Sequence, residues 1–146
     1  MRPLLSLPKS MLTVLVLLLA LPGCILVVDE DDDDYYDYFY DHDWRLDVII
    51  YYDRTLSADE SYTISFETDG RLNGLADCNG YSGLFEEPRD GVLSIREIRS
   101  GSQYCGRQSM EDRYFEVLID AASYRVEDDD LIITARNGDT LHFYKD

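Results

Sequence analysis

Residues 70–85 read GRLNGLADCNGYSGLF, a run in which glycine and asparagine recur among apolar and polar side chains. The dipeptide Asp69-Gly70, at its start, favours the positive φ values of a type I′ hairpin turn. Glycine and asparagine also accept bent backbone, and asparagine side chains satisfy nearby backbone groups. The run is therefore predicted to be a turn followed by two strands with a glycine-rich bend between them.

The sequence on both sides of this run alternates apolar and polar residues with a period of two. Alternation of this kind places one face of a strand in the core and the other in water. Further turn signals, Asp90-Gly91, Asp128-Asp129-Asp130 and Asn137-Gly138, separate most of the alternating segments. We predict antiparallel strands whose inward positions are Trp44, Leu46, Val48, Tyr62, Ile64, Phe66, Leu93, Ile95, Tyr124, Val126, Leu131, Ile133, Ala135, Leu141 and Phe143.

One segment changes to helical spacing. Ser109, with Asp112 three residues later, is close to a capping box. The apolar residues that follow recur on one face of a helix over residues 109–121, and they are Met110, Tyr114, Phe115, Leu118 and Ala122. The fold predicted is mainly β with one helix (α+β), and the helix packs across the sheet.

The motif in residues 70–85 resembles the META domain family, which includes the HslJ-like heat-shock proteins. Cys78, Asn79, Tyr81 and Gly83 match its Cys-Asn-x-Tyr-x-Gly core, whereas Asp77 stands where the family has glycine. The resemblance covers residues 44–146 and implies a small antiparallel, barrel-like β structure. It also implies a role in the envelope and in stress, without an established catalytic activity.

The N-terminal residues 1–23 have the composition of a signal peptide. Arg2 and Lys9 precede an apolar run, residues 11–21, that is too short to span a bilayer. Leu21-Pro22-Gly23-Cys24 resembles the lipobox of bacterial lipoproteins, which implies that Cys24 carries lipid such as palmitate and becomes the first mature residue. Because Ile25 rather than aspartate follows Cys24, the resemblance implies sorting to the outer membrane, facing the periplasm.

The mature chain is strongly acidic. All 30 acidic residues and 11 of the 13 basic residues lie in residues 24–146, so their net charge is −19. Nucleic acid is excluded as a partner because like charges repel. Residues 29–44 are almost entirely acidic or aromatic. We interpret residues 24–43 as a lipid-anchored tether, with a docking arm for a basic envelope protein and loose binding of divalent cations as alternatives.

Two cysteines remain once Cys24 is assigned to lipid. An even pair in an oxidising compartment predicts a disulfide between Cys78 and Cys105, with two free buried thiols as the alternative. A disulfide closing such a loop stabilises the fold by roughly 3–4 kcal/mol. The sequence predicts a monomer.

Catalytic signals are weak. His42 lies in the acidic tract and His142 is predicted to point away from the core, so no histidine–cysteine metal cluster can be assembled and no cofactor is expected. Asn73, Asn79, Tyr81 and Ser82 form the polar cluster nearest the motif; we expect them to have a structural role in the turns, with a small binding surface as the alternative. We expect a non-catalytic envelope lipoprotein, with an inhibitor of a basic lytic enzyme such as lysozyme as the alternative.

Overall fold

The computed structural model describes residues 39–40, 42–59, 61–89 and 91–146. The predicted signal peptide, Cys24 and most of the tether lie outside these residues. The strands are β1 (Asp43–Tyr51), β2 (Arg54–Ser57), β3 (Tyr62–Phe66), β4 (Arg71–Ala76), β5 (Asn79–Arg89), β6 (Val92–Ser100), β7 (Ala121–Glu127), β8 (Asp130–Ala135) and β9 (Thr140–Lys145), and the helix described is α1 (Glu111–Ile119).

Eight of these strands close into an antiparallel barrel. The order runs β1-β3-β4-β5-β6-β7-β8-β9, and β9 pairs back onto β1. The seam between β6 and β7 rests on the register pair Val92–Ser123. Strand β2 lies outside the barrel and continues β1 as a hairpin. The prediction of a mainly β, barrel-like fold with one helix is confirmed.

The barrel interior follows the predicted alternation, with one exception in β1. Trp44 and Leu46 are buried as predicted, but the next buried residue is Ile49 instead of Val48. The pairing of β1 with β9 shifts between Leu46 and Val48, which leaves Asp47 as an extra residue. Such a bulge reverses the faces of the residues beyond it, and this is why the prediction for Val48 is wrong.

The packed structure extends N-terminally beyond Trp44. Phe39, which the sequence places in the acidic tether, is 1% exposed. Its ring lies 4.3 Å from the ring of Phe66 and 4.9 Å from that of Tyr124, measured between centroids. Its carbonyl accepts a hydrogen bond from the indole of Trp44 at 3.3 Å. Phe39 therefore belongs to the hydrophobic core.

Helix α1 is shorter than the predicted span of residues 109–121. Met110 occupies the N-cap position without a side-chain capping bond, so Ser109 is not the N-cap. The Met110 amide instead donates to the hydroxyl of Tyr62 at 2.8 Å. The buried face consists of Tyr114, Val117 and Leu118, and Val117 was not predicted. Within the described residues, no helix is long and apolar enough to cross a membrane.

Candidate binding surface

The four residues of the predicted surface lie on β4 and β5 but divide between the two faces of the sheet. Asn73 pairs with Ser82 across the two strands, and both side chains are exposed on the outside of the barrel. Asn79 and Tyr81 point inward and are buried. The outer pair is thus available to a ligand, whereas the inner pair makes internal contacts.

Asn79 joins β5 to the long loop that precedes α1. Its side chain is bonded on both sides to the backbone of Gln103: Nδ2 donates to the carbonyl at 2.9 Å, and Oδ1 accepts from the amide at 3.0 Å. Nδ2 also lies 3.0 and 3.1 Å from the two carboxylate oxygens of Glu111. Since Asn79 is 4% exposed, these bonds are largely shielded from water. Asn79 therefore has a structural role, which is the interpretation that the sequence favoured over a binding surface.

The disulfide fastens the same loop from its outer side. Cys78 and Cys105 are bonded, as predicted; their Cα atoms are 5.5 Å apart and the two residues are separated by 27 positions in sequence. In the part of the chain that the structure describes, Asp77, Cys78 and Cys105 are the one group at metal-ligand spacing. Both sulfurs are committed to the disulfide, so this group offers a metal only the carboxylate of Asp77.

Asp77 forms the turn between β4 and β5 with a φ of 58°. This left-handed conformation suits glycine, the residue that the META family has at this position, and aspartate tolerates it better than most other residues do. The substitution therefore keeps the hairpin and its register, in which Ala76 pairs with Asn79.

Tyr81 reaches across β4 to β3 inside the barrel. Its hydroxyl donates to the carbonyl of Thr63 at 2.9 Å and lies 2.5 Å from the hydroxyl of Tyr114. Gly74 leaves room for this hydrogen bond, because a Cβ at position 74 would lie 2.0 Å from the Thr63 carbonyl oxygen and 2.9 Å from the Tyr81 hydroxyl. Burial is the main cause that raises the pKa of both tyrosines, so both stay neutral at physiological pH.

A polar groove of about 620 Å³ runs across the outer face of β1, β3, β4 and β5. Thr63, Ser65, Asn73 and Ser82 line its floor. Asp146, which is paired with Arg45, also lines the groove. A second depression of about 360 Å³ adjoins it and shares Asn73, Ser82 and Arg99, so the two form one continuous surface, called here the outer groove.

Arg99 is a groove residue that the sequence analysis missed. It pairs with Ser82 across β5 and β6, next to a register shift in that pairing. Glu97, within the shifted stretch, has a φ of 55°. A bulge of this kind re-aims the side chains beside it. The Arg99 guanidinium is 4.0 Å from the Glu97 carboxylate, which is long for an ion pair, and both side chains are exposed. Because such a pair is weak, Arg99 stays available to a ligand.

His142 lines a separate depression of about 370 Å³ on the opposite side of the barrel. It faces away from Leu141 and Phe143, which are buried, and its Nε2 lies 2.9 Å from the Thr140 hydroxyl. Partial burial, followed by the nearby Arg125, lowers the pKa of His142. The imidazole is therefore neutral at physiological pH.

A closed antiparallel barrel with a disulfide-fastened loop and a polar outer groove defines a small β-barrel domain. Residues 38–146 match the family model described as META domain, and the chain belongs to that family. The resemblance inferred from Cys78, Asn79, Tyr81 and Gly83 is thereby confirmed. No curated protein matches the chain.

Solved structures share the fold. An NMR structure of a protein from Burkholderia xenovorans has a TM-score of 0.61 at 21% identity, covering 76% of this chain and 87% of its own. A crystal structure of a duf4847 family protein from Bacteroides vulgatus ATCC 8482 has a TM-score of 0.54 at 13% identity, covering 73% and 93%. Likeness at these identities shows the fold alone.

Proposed function

We propose that this protein is a non-catalytic lipoprotein of the cell envelope that binds an envelope component in its outer groove. The observation that carries the proposal is the groove itself, where Asn73, Ser82 and Arg99 present amide, hydroxyl and guanidinium groups side by side. These groups can hold a polar ligand by hydrogen bonds. The two titratable tyrosines beneath the groove are held neutral and bonded to the backbone, which suits a scaffold role.

The envelope location in this proposal is supported by the sequence. Leu21-Pro22-Gly23-Cys24 follows a short apolar run, and lipid on Cys24 would anchor the domain through the acidic segment that precedes Phe39. A disulfide between Cys78 and Cys105 suits an oxidising compartment. Mass spectrometry of the mature chain tests this directly, because the N-terminal residue must be an acylated Cys24.

The binding role is tested by complementing a deletion strain under heat, detergent and envelope-targeting antibiotics. Ser82→Arg fills the groove from an exposed position and is expected not to rescue growth. Ser94→Arg is the matched control, since Ser94 is exposed on the neighbouring strand outside the groove, and it should rescue like the wild-type gene. Cys24→Ser should also fail. Normal growth of the deletion strain under all three stresses would refute the proposal.

A second candidate is inhibition of a basic lytic enzyme such as lysozyme. Residues 24–146 carry a net charge of −19, which would accelerate encounter with a cationic enzyme at low salt. The tip of the β1–β2 hairpin presents an exposed aromatic residue, Tyr52, next to an exposed carboxylate, Asp53. An activity assay with the purified chain decides this candidate: unchanged lysozyme activity at micromolar concentrations excludes it.

A further inference from the structure

The tip of the β1–β2 hairpin is the most unusual backbone in the described part of the chain. Tyr51 pairs with Arg54, so Tyr52 and Asp53 form a two-residue turn. Their φ values are 47° and 60°, both left-handed. A two-residue turn with both φ values positive favours Asn-Gly, and a bulky residue such as tyrosine is an outlier there. The chain thus tolerates strain at this tip.

The strained tip is held rigid from below. The backbone amide of Tyr52 donates to Oδ1 of Asp139 at 2.9 Å. Asp139 is buried, and Asn137 fixes it by donating from Nδ2 to its other carboxylate oxygen at 2.9 Å. A buried carboxylate that accepts a turn amide keeps the hairpin in one conformation before any partner arrives. A preorganised loop of this kind loses little conformational entropy on binding.

The aromatic side chains of the tip form a platform. Tyr52 is 68% exposed, and its ring meets that of Tyr51 edge to face, with centroids 4.5 Å apart. Tyr51 is itself fixed, since its hydroxyl donates to Glu116 at 2.6 Å and the guanidinium of Arg113 lies 4.8 Å from its ring centroid. An exposed tyrosine on a rigid support is typical of residues that dominate the energy of protein interfaces.

The charge of the tip indicates the charge expected on the partner's surface. Asp53 is exposed beside Tyr52 and makes no ion pair with any described residue. The chain as a whole carries −17, so its field attracts cations to every exposed carboxylate. A basic surface with a pocket for the Tyr52 ring matches the exposed aromatic side chain and the carboxylate beside it.

From these observations we propose that the Tyr52–Asp53 tip is the contact surface for a protein with a basic cleft, an inference that rests on the second candidate function. Tyr52 inserts its ring and Asp53 pairs with a lysine or arginine of the partner. The strain in the turn is retained because an Asn-Gly tip would carry neither the ring nor the carboxylate. This surface is separate from the outer groove, which neither Tyr52 nor Asp53 lines.

The experiment measures binding of lysozyme, as the basic-cleft probe, to the purified full chain at low ionic strength. Tyr52→Ala is expected to weaken binding by about tenfold or more. Tyr104→Ala is the matched control, because Tyr104 is 76% exposed but lies in the loop before α1, and it should leave binding unchanged. Asp53→Asn should weaken binding, whereas Arg54→Gln should not, which tests the sign of the partner's charge.

The double variant Tyr52→Asn with Asp53→Gly separates binding from folding. It relieves the strained backbone, so its urea midpoint should rise while binding is lost. If lysozyme binds the wild-type chain and the three variants that change Tyr52 or Asp53 equally, the surface is wrong although the inhibitor function survives. If lysozyme does not bind the wild-type chain at micromolar concentration, both the surface and the inhibitor function are overturned, and the groove proposal is unaffected.

Discussion

Removing the Asn79 side chain should detach the loop between β6 and α1 while leaving the barrel closed. In Asn79→Ala, the amide and the carbonyl of Gln103 lose their partners at 3.0 and 2.9 Å, and the carboxylate of Glu111 loses a donor. The disulfide still links Cys78 to Cys105. The loop is then held by the disulfide and, at its two ends, by the bonds from the Gly101 amide to the Gly80 carbonyl and from the Met110 amide to the Tyr62 hydroxyl.

The expected cost follows from the kind of bonds lost. Each neutral hydrogen bond contributes about 1 kcal/mol, and a bond to a charged group about 1.5–3 kcal/mol. Glu111 is half-buried and regains some hydration, so its share falls at the lower end of that range. The sum is about 3.5 kcal/mol. With a urea m-value of roughly 1–3 kcal/mol/M, the unfolding midpoint falls by about 1.2–3.5 M.

Urea unfolding followed by tyrosine fluorescence measures this loss, with Ser82→Ala as a control that removes an exposed side chain from the same strand. The variant Asn79→Asp adds a pH signature. It keeps an acceptor for the Gln103 amide but sets a carboxylate against that of Glu111, which raises the pKa of the new acid. Its stability should therefore recover as the pH falls. If Asn79→Ala lowers the free energy of unfolding by less than about 1 kcal/mol, which is the energy of one neutral hydrogen bond, the role assigned to Asn79 is wrong.

Three further changes test the interior. Gly74→Ala places a Cβ 2.0 Å from the Thr63 carbonyl oxygen, so it should lower the free energy of unfolding by about 3 kcal/mol, with a corresponding fall in melting temperature. An unchanged melting temperature would contradict the close contact between β3 and β4 at this position. Burial raises the pKa values of Tyr81 and Tyr114 above the ordinary value of 10.0. Their contribution to the stability of the fold is therefore intact below pH 10.0 and is lost as the pH rises further. The free energy of unfolding measured in urea should fall by up to about 1.4 kcal/mol per pH unit for each tyrosine above that pH, and Tyr114→Phe should reduce this dependence on pH. Phe39→Ala removes a ring that is 1% exposed and should cost about 3 kcal/mol in urea unfolding, whereas a negligible cost would place Phe39 outside the core.

The strands were predictable because their pattern is local. Tyr62, Ile64 and Phe66 alternate with polar residues, and that period alone assigns them to the core. The bulge at Asp47 was not predictable, since the extra residue is defined only by its pairing with β9 nearly a hundred positions later. Phe39 was hidden for a different reason, because its acidic neighbours give the segment the composition of a solvated tether.

The sequence identified Asn79 and favoured a structural role for it, but did not identify its partners. The motif drew attention to Asn79, yet its partners Gln103 and Glu111 lie 24 and 32 positions away. Nothing in a local window connects them. The Tyr52–Asp53 turn was missed because it lacks the glycine or asparagine that signals such a turn. Its conformation is imposed by the pairing of β1 with β2 and by the distant Asp139.

Strand β1 has a mechanical consequence for a tethered protein. It extends from Asp43, at the end of the proposed tether, to the hairpin tip, a length of about 30 Å at the usual rise per residue. It is hydrogen-bonded to β9 on one edge and to β3 and then β2 on the other. Tension between a lipid anchor and a partner gripping the tip would act along this strand. Because the bonds between strands are perpendicular to it, they would share the load in shear instead of opening one by one.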